Sequence, residues 1–328
     1  MKAYVVNQWL KGPEDLTLST NVPVPEPKEG ELQIQVKAVG LNFFDTLMIQ
    51  GRYQIKPPFP FIPGGEFAGI VLKSTVADFK AGDRVFGSAA SFAEVITAPY
   101  RNVLPMPSSF TFEQAAGLYI TYPTSYAGLV LRANLKAGEY CLIHAAAGGV
   151  GIAAVQIAKA LGATVIATAG SKEKLEVAKK FGADFAINYR DENWTAQVKK
   201  VTNGHGADVV YDPVGLIEES TKCTAWNGRL LVIGFAKGQI EKLPLNRLLL
   251  KNISAVGLHW GAYTKNEPER IPEVWKALFD LFESGKLNPA LYENIYSLAT
   301  LPRGLEAINA RESYAKVVAR FDQHDSKI

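Results

Sequence analysis

Apolar residues along this 328-residue chain follow two different rules in two successive stretches. Up to about residue 120 they alternate with polar ones in short runs. Between Glu31 and Val39, for instance, Leu32, Ile34 and Val36 take every second place, which predicts a strand with one buried face. Further strands are predicted at Met1 to Val6 and Ala68 to Lys73, and the proline-rich runs Val22 to Glu31 and Ile55 to Gly65 read as connections. From about Tyr122 short apolar runs exchange places with segments of helical spacing. Strands are expected at Tyr140 to His144, Ala163 to Thr168, Phe185 to Asn188, Asp208 to Tyr211, Arg229 to Gly234 and Ile253 to Leu258. Helical patterns such as Lys172 to Phe181, Glu192 to Thr202 and Leu245 to Leu250 separate them. The class is therefore α/β: a doubly wound parallel sheet beside a smaller β-rich unit. The tail has a helix at Pro272 to Ser284, another near Arg303 to Ala310 and a strand-like KVVARF. That is too little for a core of its own, so it is expected to return to the first unit. The resulting division is 1–122, 123–259 and 260–328.

The most informative stretch is Tyr140 to Ala163, YCLIHAAAGGVGIAAVQIAKALGA. An apolar strand runs into a turn in which Ala146, Gly148 and Gly151 keep the GxGxxG spacing of a dinucleotide fingerprint, with alanine in the first place. Small residues let the backbone approach a pyrophosphate, and the helix that follows directs N–H groups and a positive dipole at it. A fold that prefers NAD places an acidic residue roughly twenty positions further on, against the ribose 2′-hydroxyl. Here the second strand runs into Gly170, Ser171 and Lys174 with no acid at its tip. A hydroxyl and a cation suit a 2′-phosphate, so the expected cofactor is NADPH.

Composition narrows the partners. With 48% hydrophobic and 20% charged residues and a net charge of +3, the chain has no basic block suited to nucleic acid or an anionic membrane, and no apolar stretch long enough to span one. Two cysteines, Cys141 and Cys223, make neither a disulfide framework nor a cysteine-rich zinc site. A cytoplasmic location is the default. The terminal Ser326-Lys327-Ile328 lies one conservative change from a peroxisomal import tripeptide and supplies the alternative.

Several motifs together resemble the zinc-independent quinone oxidoreductases of the medium-chain dehydrogenase/reductase superfamily, which include the zeta-crystallin type. They are GLNFFDTLMIQGRY (from Gly40), PGGEFAGIV (from Pro63), GDRVFG (from Gly82), AAAGGVG (from Ala145), INYR (from Ile187) and VYDPVG (from Val210), in family order along essentially the whole chain. The resemblance implies a GroES-like catalytic domain, a Rossmann nucleotide-binding domain and a homodimer. Zinc enzymes of the superfamily put ligands near the positions of Asn42, Gly65 and, approximately, Ile120. None of these residues can serve, and the four histidines show no ligand spacing. Without a Lewis acid, simple alcohol oxidation gives way to hydride delivery to an acceptor that is already electron-poor. A quinone or an α,β-unsaturated carbonyl takes the incoming charge onto its own oxygen and needs only donors and position.

Position by position, the resemblance implies that Asn42 and Tyr53 border the substrate and nicotinamide. It sets Thr124 near the nicotinamide end, and Gly149 and Val150, with Gly148 and Gly151, on the pyrophosphate. Gly170, Ser171, Lys174 and Tyr189 surround the adenosine ribose, and Val214, Gly215, Gly234 and Phe235 lie beside the nicotinamide ribose. Leu47 stands where many relatives have tyrosine, which makes the pocket more apolar. His259, Trp260 and Tyr263, directly after the last strand, are candidates for stacking a flat conjugated acceptor. Tyr53 is the first choice of proton donor, as a phenol whose ordinary pKa is about 10. Glu66 and Asp83 read as architecture. The leading function is NADPH-dependent quinone reduction. The alternatives are reduction of enones, enals or enoyl thioesters, or NADPH binding without catalysis. Low net charge and the lack of a basic aromatic surface argue against RNA.

Overall fold

The computed structural model describes residues 1–321; His324 and the Ser326-Lys327-Ile328 terminus lie outside them. The chain divides into two compact units, Met1–Ile120 with the chain from Pro289, and Thr121–Asn288. Among the described residues no helix is long and apolar enough to cross a membrane.

The first unit is built on a seven-stranded sheet. Its order is Tyr296–Ser297, Val318–Arg320, Glu31–Gly40, Glu66–Ser74, Arg84–Gly87 and Val103–Pro105, with Val95–Pro99 also paired to Glu31–Gly40. Every pairing is antiparallel except that of the two C-terminal strands. Leu32, Ile34 and Val36 are buried as the alternation predicts, in one cluster with Phe67, Val71 and Val85. The alternation does not reveal the helix Phe43–Ile49, because FFDTLMI is apolar at nearly every position. Its start is set at Asn42, whose backbone N–H donates to the Asp45 carboxylate at 2.8 Å while Asp45 N–H donates to the Asn42 backbone carbonyl at 3.1 Å.

The second unit holds a six-stranded, wholly parallel sheet. In space the order is Phe185–Asn188, Thr164–Ala169, Tyr140–Ile143, Ala207–Asp212, Thr224–Val232 and Ser254–Gly257. In chain order that is 3-2-1-4-5-6, the dinucleotide-binding arrangement. All six expected strands are present, although the fifth begins at Thr224 rather than near Arg229.

The tail divides where the sequence suggests a single return. Its helix, Arg270–Glu283, belongs to the second unit and not, as expected, to the first. The helix buries Val274, Trp275, Leu278 and Phe282, and the Phe282 ring lies 4.9 Å from Tyr122 of the same unit. An amphipathic helix settles where its apolar stripe is covered, and here the nearest cover is the helix Thr121–Tyr126. Only the chain from Pro289 returns to the first unit.

Candidate active site

Because every strand of the second unit runs the same way, all carboxyl ends emerge along one edge, where ligands of such sheets bind. The strand Tyr140–Ile143 leads to Ala145, a left-handed residue at φ 47°, and to Gly148, which caps the helix Gly149–Ala160. A β-carbon on Gly151 would overlap the Ala145 carbonyl oxygen and sit 2.8 Å from the Ala146 Cα, so only glycine fits this close crossing. The first internal helix bond runs from Ile152 N–H to Gly148 O at 2.8 Å. The amides of Gly149, Val150 and Gly151 thus have no acceptor within the helix, and no acidic residue occupies its first turn. The Ser125 hydroxyl, next to Thr124 in the Thr121–Tyr126 helix, donates to the Val150 carbonyl at 2.9 Å.

At the end of the neighbouring strand, a β-carbon on Gly170 would lie 3.0 Å from both the Tyr189 hydroxyl and Arg190 Nε. Ser171 caps the helix Lys172–Lys180 by accepting the Lys174 N–H, and the Lys174 side chain is half-buried. Gly170 therefore forms a small-residue floor with the Tyr189 phenol and the Arg190 guanidinium beside it, and Ser171 and Lys174 open the helix that follows. Sequence reasoning does not single out Arg190, although it completes the INYR motif next to Tyr189.

Past the fourth strand, the buried Asp212 carboxylate accepts the N–H groups of Val214 at 2.7 Å, Gly215 at 3.0 Å and Leu216. Gly215 has φ +105°, which a side chain would strain. Gly234 N–H reaches the Asp212 carbonyl, and Phe235 beside it is exposed. Beneath this edge His144 is fully buried between Thr168 Oγ1 at 2.7 Å and Ser220 Oγ at 2.9 Å, and burial holds its pKa below the ordinary value. After the sixth strand, His259 and Tyr263 line a cleft of about 210 Å3 with Arg132, Leu258, Asn266 and Glu267. Trp260 is not among the lining residues but packs on Tyr263 with centroids 5.0 Å apart.

In the first unit the helix Phe43–Ile49 gathers Asn42, Leu47 and Tyr53. The Leu47 carbonyl accepts Tyr53 N–H at 3.2 Å, and the Tyr53 ring stacks on Phe44 at 5.4 Å. Burial, and next the charge of Asp45, raise the Tyr53 phenol above its ordinary pKa. The Asn42 amide is clamped: Nδ2 donates to Glu66 Oε1 at 3.0 Å, and Oδ1 accepts from Lys316 Nζ at 2.6 Å. Lys316 Nζ also pairs with Glu66 Oε1 at 2.5 Å, and Glu66 Oε2 accepts Ile120 N–H at 3.0 Å. Asp45 is fully buried, with Oδ2 on Asn42 N–H at 2.8 Å and Oδ1 without a partner. Burial pushes its pKa up to about 7, against the opposing charge of Lys316. Asp83 accepts Lys80 N–H at 2.8 Å in a turn, an architectural contact.

Comparison with known proteins fits this geometry. Residues 28–108 match the family model for the alcohol dehydrogenase GroES-like domain, and residues 149–283 that for zinc-binding dehydrogenases. A quinone oxidoreductase-like protein 2 homolog of Nematostella vectensis is 40% identical over 89% of this chain and 82% of its own. The chain belongs to the zinc-independent quinone oxidoreductase family of medium-chain dehydrogenases/reductases. Human quinone oxidoreductase, another relative, is 33% identical over 85% of this chain and 86% of its own. The crystal structure of the Thermus thermophilus quinone oxidoreductase, known also in complex with NADPH, superposes with a TM-score of 0.86. It is 33% identical and covers 98% of this chain and 100% of that one.

One matching description names zinc, but the residues here do not fit that ion. Asn42 is committed to Glu66 and Lys316, and an ammonium group stands among the would-be ligands. A β-carbon on Gly65 would meet Phe44 Cζ at 2.5 Å and Ile120 Cδ1 at 3.2 Å, so a ligand side chain has no room there. Among the described residues no group of three His, Cys, Asp or Glu could hold a metal.

Proposed function

We propose that this protein is an NADPH-dependent, zinc-independent reductase that delivers a hydride to quinones. The observation that carries the reading is the floor at Gly170, where the Arg190 guanidinium and the Tyr189 hydroxyl flank a glycine, Ser171 and Lys174 begin the next helix, and no carboxylate occupies the strand tip. Two cations and two hydroxyls suit a 2′-phosphate and would be wasted on a bare ribose. When bound, NADPH supplies the hydride. The chain's own work is to hold the pyrophosphate at the amides of Gly149, Val150 and Gly151 and the ribose phosphate at Gly170. Thr124, Val214, Gly215, Gly234 and Phe235 are the proposed surroundings of the nicotinamide end. Phe44, Leu47 and Tyr53 offer the acceptor an apolar, aromatic wall with one hydroxyl. A quinone needs little more, since its own ring takes up the charge and the Tyr53 hydroxyl can donate to the oxygen that gains it. His259 and Tyr263 remain candidates for contact with the acceptor.

The protein is further proposed to be a homodimer. Ser254–Gly257 is an unpaired sheet edge, mostly exposed, next to a helix that leaves Leu249 81% and Leu250 72% exposed; a second copy would cover both. Light scattering tests the dimer.

The experiment for the function follows loss of NADPH absorbance with a panel of quinones and conjugated enones, with NADH as control. Quinone turnover faster than enone turnover supports the reading. Enone preference moves the assignment to the alkene reductases. Tight NADPH binding with no turnover on any acceptor sinks it in favour of a binding role.

A further inference from the structure

Asn42, Glu66 and Lys316 form a closed ring of hydrogen bonds with almost no access to solvent. Glu66 is 0% exposed, Lys316 5% and Asn42 9%. The three come from separate parts of the unit: the cap of the Phe43–Ile49 helix, the first residue of the Glu66–Ser74 strand, and the residue two before the Val318–Arg320 strand. The Lys316 stem runs past Gly117, where a β-carbon would lie 2.7 Å from its Cγ, so a glycine leaves room for the passage. Lys316 is fixed at its backbone as well, donating to the Ala290 carbonyl at 3.0 Å and accepting Tyr292 N–H at 2.8 Å.

A buried ion pair is a poor way to gain stability, because apolar residues of the same volume commonly serve as well or better. Apolar packing would not orient an amide. In this ring Glu66 takes one Asn42 N–H, and the second points at the Gly40 carbonyl at 3.5 Å. Lys316 takes one lone pair of Oδ1. Of the amide's four hydrogen-bonding positions, the one left fully open is an acceptor position. Asn42 therefore has little to donate to an oxygen that gains charge, which leaves that task to Tyr53. The cap that the ring holds also starts the helix carrying Phe44 and Leu47 and leading to Tyr53.

We propose that Lys316 is a positioning residue of the reductase: its ammonium, held by Glu66, locks the Asn42 amide as an acceptor and fixes the helix start that aims Leu47 and Tyr53. This assignment rests on the proposed reduction of quinones. Loss of Lys316 alone would strand a buried carboxylate, so the test uses K316M/E66Q, which removes both charges at nearly constant shape and keeps an acceptor for either Asn42 Nδ2 or Ile120 N–H. The double variant is expected to bind NADPH within about twofold of wild type, because the proposed pyrophosphate and ribose-phosphate contacts, which carry the charge-assisted bonds, lie in the other unit. Its kcat/KM for quinone is expected to fall by about tenfold or more, the size of one hydrogen bond to a charged group. In protein labelled with 15N-asparagine, the Asn42 side-chain amide should exchange slowly in wild type and much faster in the variant. A folded variant with quinone kcat/KM within twofold of wild type would overturn the proposal. So would a wild-type Asn42 amide exchanging as freely as those of surface asparagines, a measurement that does not depend on the variant folding. If wild-type protein binds NADPH but reduces no quinone, the proposed function fails, and amide exchange alone decides whether Lys316 positions Asn42.

Discussion

The two units build their candidate sites from different materials. The nucleotide-binding unit uses backbone: amide groups at a helix start, glycines where chains cross, and a carboxylate that ties the loop after the fourth strand. The first unit uses buried charge: two carboxylates and one ammonium around an amide. Backbone sites fail sterically, when an atom is added. Charge clusters fail electrostatically, when a charge is gained or lost. Substitutions in the two units should therefore differ in kind as well as in size.

The largest effect is expected at Gly151. In a free helix, alanine would be the better residue by about 1 kcal/mol. Here its β-carbon overlaps the Ala145 carbonyl oxygen and crowds the Ala146 Cα, both backbone atoms that cannot swing away. Gly151→Ala should weaken NADPH binding by about a hundredfold or more and lower thermal stability, read by fluorescence titration and calorimetry. Binding within threefold of wild type would mean that the crossing is looser than its geometry.

Asp45 comes next and works through charge. Its folded-state pKa, about 7, lies above its ordinary value of 3.8, so the native state holds the proton more tightly than the unfolded chain. Its contribution to stability is complete below about pH 4 and is lost as pH rises through 7. The gap corresponds to at most on the order of 4 kcal/mol. Asp45→Asn keeps an acceptor for Asn42 N–H but cannot ionise. Its denaturation midpoint should gain on wild type between pH 5 and pH 8, and parallel profiles at the two pH values would refute the buried-acid account. The other unit carries the opposite sign. Burial lowers the His144 pKa from its ordinary value, so its contribution is lost as pH falls below that value.

How much of this can be read in the sequence follows from the same contrast. The parallel sheet and its fingerprint are legible because strand, turn and helix lie consecutively between Tyr140 and Ala160, and spacing is all the phosphate site requires. The ring in the first unit is not legible, since Asn42 and Lys316 are 274 residues apart and neither belongs to a motif naming the other. Arg190 lies between these cases. It follows Tyr189 directly, yet only the pairing of Phe185–Asn188 with Thr164–Ala169 brings it to Gly170. The helix Arg270–Glu283 is legible as a helix but not in its destination. Amphipathicity specifies a buried face and leaves open what buries it.

A smaller effect, confined to one cofactor, is expected at the cations. Arg190→Ala and Lys174→Ala should each raise the NADPH dissociation constant by about tenfold to a hundredfold, as charge-assisted bonds of about 1.5–3 kcal/mol are lost. NADH binding should hardly change. Calorimetric titration with both cofactors checks this, and equal losses for NADH and NADPH would mean that neither residue meets a 2′-phosphate.

Gly170→Ala should give the smallest effect, and it sharpens the comparison because the substitution is the same as at Gly151. The added carbon would sit 3.0 Å from Arg190 Nε and from the Tyr189 hydroxyl. These are the far ends of flexible side chains, which can retreat by a few tenths of an ångström. Stability should therefore change by less than about 1 kcal/mol. NADPH affinity should fall only a few-fold, as the guanidinium and phenol are pushed off their positions, and NADH affinity should fall less. A loss as large as that of Gly151→Ala would show that the floor at Gly170 is as rigid as the fingerprint turn. Arg190 would then be a fixed part of the scaffold, unable to adjust to a phosphate.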